Sequence, residues 1–160
     1  MSHLTDELLT RFREDGYVVV PQLLSPAESG LLGQVARRDQ ELAAARTSRR
    51  DGEGGAVDLV VRNDLPDESI YGAIVRMQPL VDLMEFLLDD EVYHYHHKMI
   101  LKEPRVGGAW TWHQDYGYWY NNGCLFPDMA SCMIAVDRAT QENGCLQVLR
   151  GSHRMGRVDH

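Results

Sequence analysis

At Glu91 the chain changes character. Before it, apolar residues recur at helical spacing between capping and stop signals. After it, β-branched and aromatic residues come in short runs broken by glycine and proline. Helices first and strands later constrain the chain to an α+β, β-rich arrangement instead of alternating βαβ units. A chain of 160 residues is long enough to bury a core and suits one domain spanning 1–160, with a helical and β opening region over 1–90 and core strands over 91–160.

Within the opening region, Leu4, Leu8, Leu9 and Phe12 share one face of a helix over Thr5–Glu14, which Asp15-Gly16 ends. Tyr17–Val20 reads as a short strand stopped by Pro21. Ser25-Pro26-Ala27-Glu28 has the residues of a capping box with proline in the first turn, starting a helix expected to run to about Arg46. Asp51–Gly55 is a glycine-rich loop and Val57–Val61 a strand. Asp67–Met77 and Leu80–Leu88 are two helices separated at Pro79. Beyond Glu91, Val92–Leu101, Trp110–Tyr116, Ala130–Val136 and Cys145–Leu149 read as strands, with turns at Gly107-Gly108 and Asn143-Gly144.

Sixteen Lys and Arg against 24 Asp and Glu give a net charge of −8. That balance argues against nucleic acid or an anionic membrane as partner. No apolar run reaches the length of a bilayer span, and the first residues lack the apolar stretch of a signal peptide. Cys124, Cys132 and Cys145 are odd in number and have no C-x-x-C spacing. They read as reduced thiols of a cytoplasmic protein.

One tripeptide carries chemistry. His113-Gln114-Asp115 lies in the aromatic run Trp110–Tyr120. On a strand, residues i and i+2 point to the same side. A strand here presents an imidazole and a carboxylate together, two of the three ligands of a 2-His-1-carboxylate iron site. Thr111 and Gly117 share their face, while Trp110, Trp112, Gln114 and Tyr116 form the bulky opposite face. By itself H-x-D is a common pattern, and a polar pair on a sheet is the plain alternative.

The surrounding residues resemble the phytanoyl-CoA dioxygenase (PhyH) family, which includes the ectoine hydroxylases. The resemblance rests on Trp112-His113-x-Asp115-Tyr116-x-x-Trp119-Tyr120, then Gly123, Pro127 and Met129, then Asn143-Gly144-Cys145-Leu146 and Gly151-Ser152-His153-Arg154, with Asp15-Gly16-Tyr17-Val18-Val19-Val20-Pro21 near the start. It implies a double-stranded β-helix, a jelly-roll or cupin-like core preceded by helices. It also implies an Fe(II)- and 2-oxoglutarate-dependent dioxygenase that uses O2 to hydroxylate an unactivated C–H bond of a small organic substrate. His113 and Asp115 are the implied iron ligands. Met99, Gln114 and Trp119 match cosubstrate-side positions, although strict alternation aims Gln114 away from His113. Tyr116 and Tyr118 are candidates to frame the substrate; ordinary packing is the alternative for all five.

The family's second iron histidine comes after the Gly-Ser-His segment and is followed by an arginine that pairs with 2-oxoglutarate. Neither His153 nor His160 fits that place. Fewer strands can be read than a jelly roll requires, so the chain is expected to be an N-terminal portion that stops before the core closes. A non-catalytic fragment, or a jelly roll that binds a small ligand without turnover, is therefore the competing reading. His94 and His96 share a strand face and could form a chelating pair, but with no carboxylate or cysteine at matching spacing packed or solvated imidazoles are the favoured reading.

Overall fold

The computed structural model describes residues 4–39, 46–50, 56–62, 68–101 and 112–158. Helix α1, Asp6–Asp15, starts where Thr5 accepts a hydrogen bond from the Leu8 amide and carries Asp6 and Glu7 in its first turn. It stops at Gly16, whose φ of 80° is left-handed and favours glycine. Helix α2, Pro26–Arg38, has the complete capping box: Ser25 Oγ accepts from the Glu28 amide, and a Glu28 carboxylate oxygen accepts from the Ser25 amide at 2.7 Å. These two bonds hold the Glu28 carboxyl below its ordinary pKa.

Helix α2 ends at Arg38, short of the expected Arg46, because Asp39 turns extended and its carboxylate accepts a hydrogen bond from the Tyr71 hydroxyl at 3.0 Å. Strands β1, Arg46–Arg50, β2, Ala56–Arg62, and β3, His97–Leu101, form an antiparallel sheet in the order β1-β2-β3. Arg46 opposes Val60, and Asp58 opposes Leu101. The 51–55 loop and the Gly107-Gly108 turn lie outside the described residues.

Between β2 and β3 come α3, Ile70–Val75, capped by Ser69, and α4, Gln78–Leu88. Pro79 was expected to separate two helices. It sits instead in the first turn of α4, where an absent N–H leaves no helical bond unmade. Leu80, Leu83 and Leu87 are buried along one face of α4. A second cluster joins Leu32 and Ala36 of α2 to Tyr71 of α3, with Ile70, Ile74, Met99 and Val136 packed against it. Each leucine so buried contributes roughly 1.5–3 kcal/mol of transfer free energy. Among the described residues no polar or charged side chain is buried.

Several expected strands take other forms. Tyr17–Val20 joins no strand among the described residues, and only His97–Leu101 of the Val92–Leu101 run joins the sheet. Ala130–Val136 and Cys145–Leu149 form no regular strand, although the turn at Asn143-Gly144 is present, with the Cys145 amide donating to Thr140 O at 2.9 Å. Of the expected strand Trp110–Tyr116, residues 110 and 111 lie outside the described residues, 112–114 form no regular strand, and Asp115 begins a helix, α5, Asp115–Asn121. A strand needs a partner whose backbone lies across the ladder; the described sheet offers these segments none.

The far end of the chain returns to α1. A 3-10 turn at Ser152–Arg154 lies against the α1 C-terminus. The Gly151 amide donates to Asp15 O at 2.7 Å, and His153 Nε2 and an Arg154 guanidinium N–H both donate to Arg13 O. Arg150 pairs with the Asp15 carboxylate at 2.7 Å. Helix-terminal carbonyls without partners inside the helix are thus filled from the opposite end of the sequence.

Candidate metal centre

Residues 112–114 carry no regular secondary structure, and Asp115 opens α5. The two candidate ligands therefore stand on either side of an extended-to-helix junction and not on one strand. Gln114, with φ −114° and ψ 121°, is the last extended residue. This corrects the i, i+2 strand argument, yet the side chains still converge: His113 Nε2 lies 3.3 Å from Asp115 Oδ1. A first-row cation with bonds of about 2.1 Å to nitrogen and oxygen keeps adjacent donor atoms roughly 3.0–3.4 Å apart. This pair has the donor types and the spacing to hold one edge of such a site. Both side chains are partly open to solvent, 34% for His113 and 49% for Asp115, so an ion has access. Among the described residues no third His, Cys, Asp or Glu completes a metal-holding group.

The other Asp115 oxygen, Oδ2, accepts a hydrogen bond from Ser131 Oγ at 3.4 Å, leaving Oδ1 turned to His113. His96 is near enough to Asp115 to feel its charge. Burial holds its pKa below the ordinary histidine value, Lys98 and His94 add to that shift, and the Asp115 charge opposes it. The His96 ring meets Trp119 edge-on at 4.6 Å, and Tyr95 and Tyr118 meet the same indole at 5.0 and 4.8 Å. Trp119 is thus the centre of an aromatic cluster adjoining Asp115 along α5.

The remaining predicted residues are spread more widely. Tyr118 is on the edge of that cluster and exposed. The Tyr116 hydroxyl donates to Leu125 O at 2.8 Å, fixing the loop after α5. Met99 packs against the Leu32, Ala36 and Tyr71 cluster. The Gln114 side chain reaches the backbone of residues 156 and 158: Nε2 donates to Gly156 O at 2.8 Å and Oε1 accepts from the Val158 amide at 2.9 Å. His94 faces His97, not His96, with Nε2 and Nδ1 3.3 Å apart. His153 serves the α1 terminus, and His160 lies outside the described residues. An open depression of about 310 Å³ lined by Leu31, Gln34, Val35, Arg38 and Asp39 contains none of the predicted residues.

Sequence reasoning missed Ser131, because nothing local links a serine to a carboxylate 16 positions earlier. It weighed His96 as a partner of His94, whereas its contact with Trp119 depends on where α5 lies.

An imidazole and a carboxylate converging next to an aromatic cluster define a candidate mononuclear metal site, and the comparisons with known proteins give that site a context. The family model for phytanoyl-CoA dioxygenase (PhyH) matches residues 12–160. The chain belongs to this family. It is 31% identical over 150 residues to an L-proline trans-4-hydroxylase of Streptomyces griseoviridis, a match covering 93% of this chain and 55% of the relative. It is 26% identical over 152 residues to an ectoine dioxygenase of Stutzerimonas stutzeri (strain A1501), covering 92% and 50%. A probable alpha-ketoglutarate-dependent hypophosphite dioxygenase of Stutzerimonas stutzeri is 28% identical over 88 residues, covering 55% and 29%. The chain spans about half the length of the first two of these relatives. No solved structure matches it. Among the described residues no helix is long and apolar enough to cross a membrane.

Proposed function

We propose that the protein this chain belongs to is an Fe(II)- and 2-oxoglutarate-dependent dioxygenase that hydroxylates an unactivated C–H bond of a small organic molecule. The observation that carries the reading is the 3.3 Å approach of His113 Nε2 to Asp115 Oδ1 in a chain of the PhyH family. His113 and Asp115 would hold the iron. The bound ion, with 2-oxoglutarate and O2, would supply the oxidising power for hydroxylation. We take the whole protein to fold as the double-stranded β-helix that the family implies; among the described residues it has one three-stranded antiparallel sheet.

The roles of this chain's own residues follow from their contacts. Ser131 orients the carboxylate by donating to Asp115 Oδ2. His96, whose charged form is disfavoured chiefly by burial, packs its ring against Trp119. Trp119, met edge-on by His96 and Tyr118, gives the α5 side of the site an aromatic surface. Met99 and Gln114 are better placed to support the site than to touch a cosubstrate: the first is in the core cluster and the second is engaged by backbone at both ends of its amide. Relatives named as hydroxylases and dioxygenases favour the oxygenase over a non-catalytic binding protein. Proline and ectoine are the first substrates to test, because they are the compounds in the relatives' names.

The test is succinate formation from 2-oxoglutarate with Fe(II) and ascorbate, with proline or ectoine added, using the product of the full reading frame that contains this chain. Succinate production that His113→Ala and Asp115→Ala both abolish is the expected result. Succinate production untouched by either substitution refutes the assignment of these two residues.

A further inference from the structure

We infer that Gln114 is a positioning residue for the His113 and Asp115 pair, and that residues 150–158 are the strap through which it acts. The inference rests on the iron-site reading above and goes beyond it. Gln114 separates the two candidate ligands, and its backbone makes the change from extended chain to helix. The relative direction of the imidazole and the carboxylate therefore depends on how firmly this one residue is held.

The side-chain amide is held at both ends. Its N–H donates to Gly156 O and its oxygen accepts from the Val158 N–H, an acceptor and a donor two residues apart on the strap. A primary amide supplies one donor and one acceptor at the required separation, whereas a carboxylate has no donor for the Gly156 carbonyl. The strap is fixed in turn. Gly151, His153 and Arg154 donate to the last carbonyls of α1, and Arg150 pairs with Asp15. A continuous series of bonds thus runs from the end of α1, through the Gly-Ser-His-Arg turn, to the residue between the ligands. This gives the Gly-Ser-His-Arg motif a role separate from metal ligation. Groups that orient metal ligands without touching the metal typically change affinity by about 10–100-fold when removed.

The experiment is a Co(II) titration of the product of the full reading frame that contains this chain, followed by the visible d–d absorption, on wild type, His113→Ala, Gln114→Ala and the length-matched Gln114→Met. Amide hydrogen exchange at Val158 is read in parallel. The expected result is Co(II) binding that His113→Ala abolishes, an affinity about tenfold lower in both Gln114 variants, an unchanged far-UV circular dichroism spectrum, and faster exchange at Val158 in both Gln114 variants. If His113→Ala abolishes binding while both Gln114 variants bind as wild type, the positioning role is overturned and the iron-site reading stands. If wild type binds no Co(II), or His113→Ala binds as well as wild type, the iron-site reading fails and the positioning role with it. If both Gln114 variants lose helical signal together with affinity, Gln114 supports the fold and not the ligand pair, and the inference is likewise overturned.

Discussion

Gly16→Ala tests the junction between the two ends of the chain. A Cβ at this position would stand 2.2 Å from His153 Nδ1, well inside contact distance, and the residue's φ is +80°. Two costs follow. Holding alanine in the left-handed region costs about 1–2 kcal/mol. Moving the His153 ring aside breaks its hydrogen bond to Arg13 O, worth about 0.5–1 kcal/mol for a neutral bond at an exposed site. Their sum predicts a loss of roughly 1.5–3 kcal/mol, read as a lower urea midpoint with unchanged slope. The separation into two parts is itself testable. In a His153→Ala background the ring is absent, so Gly16→Ala should cost only the backbone part, and the two substitutions should be sub-additive by about 0.5–1 kcal/mol. Strict additivity in this cycle would show that the His153 ring and Gly16 do not meet in solution, and the strap's attachment to α1 would have to be abandoned.

Two further outcomes can be checked on the same protein. Ser25→Ala removes the acceptor for the Glu28 amide and should lower unfolding free energy by about 1 kcal/mol, measured by urea denaturation. His96 has a folded pKa below its unfolded value, chiefly through burial. Its neutral form is therefore favoured by folding, and the stability linked to it is present above the ordinary histidine pKa and lost as pH falls through the lower folded value. Wild type should lose thermal stability on acidification below about pH 6.5, and His96→Gln should lose less over the same interval; identical slopes would remove His96 from this account.

Local signals in the sequence were legible where the structure depends on them locally. The Ser25–Glu28 box, the Asp15-Gly16 stop and the Asn143-Gly144 turn are each complete within four residues or so of backbone, and each forms. The α4 helix was also legible from its apolar spacing, but the meaning of Pro79 changed once the helix start was seen to precede it. The strand expected at Trp110–Tyr116 failed for a different reason. Aromatic residues fit a pleated surface only where a partner strand exists; here Asp115 begins a helix and Gln114 is held by residues more than forty positions away. The candidate ligand pair was legible as a pair of residue types, yet the geometry that joins it, a junction instead of an alternating strand, was not. Ser131 and the docking of Gly-Ser-His-Arg on α1 depend on contacts across 16 and about 140 positions, which no local pattern records.

The bonds from His153 and Arg154 to the Arg13 carbonyl, 140 and 141 positions apart in the sequence, also bear on biogenesis. A ribosome makes α1 first and these donors much later. Until Arg154 has left the exit tunnel, the nascent helix has an unfilled terminus. Its locking therefore waits for the release of residue 154, and pulse proteolysis of stalled nascent chains should find α1 protected only in those long enough to have released that residue.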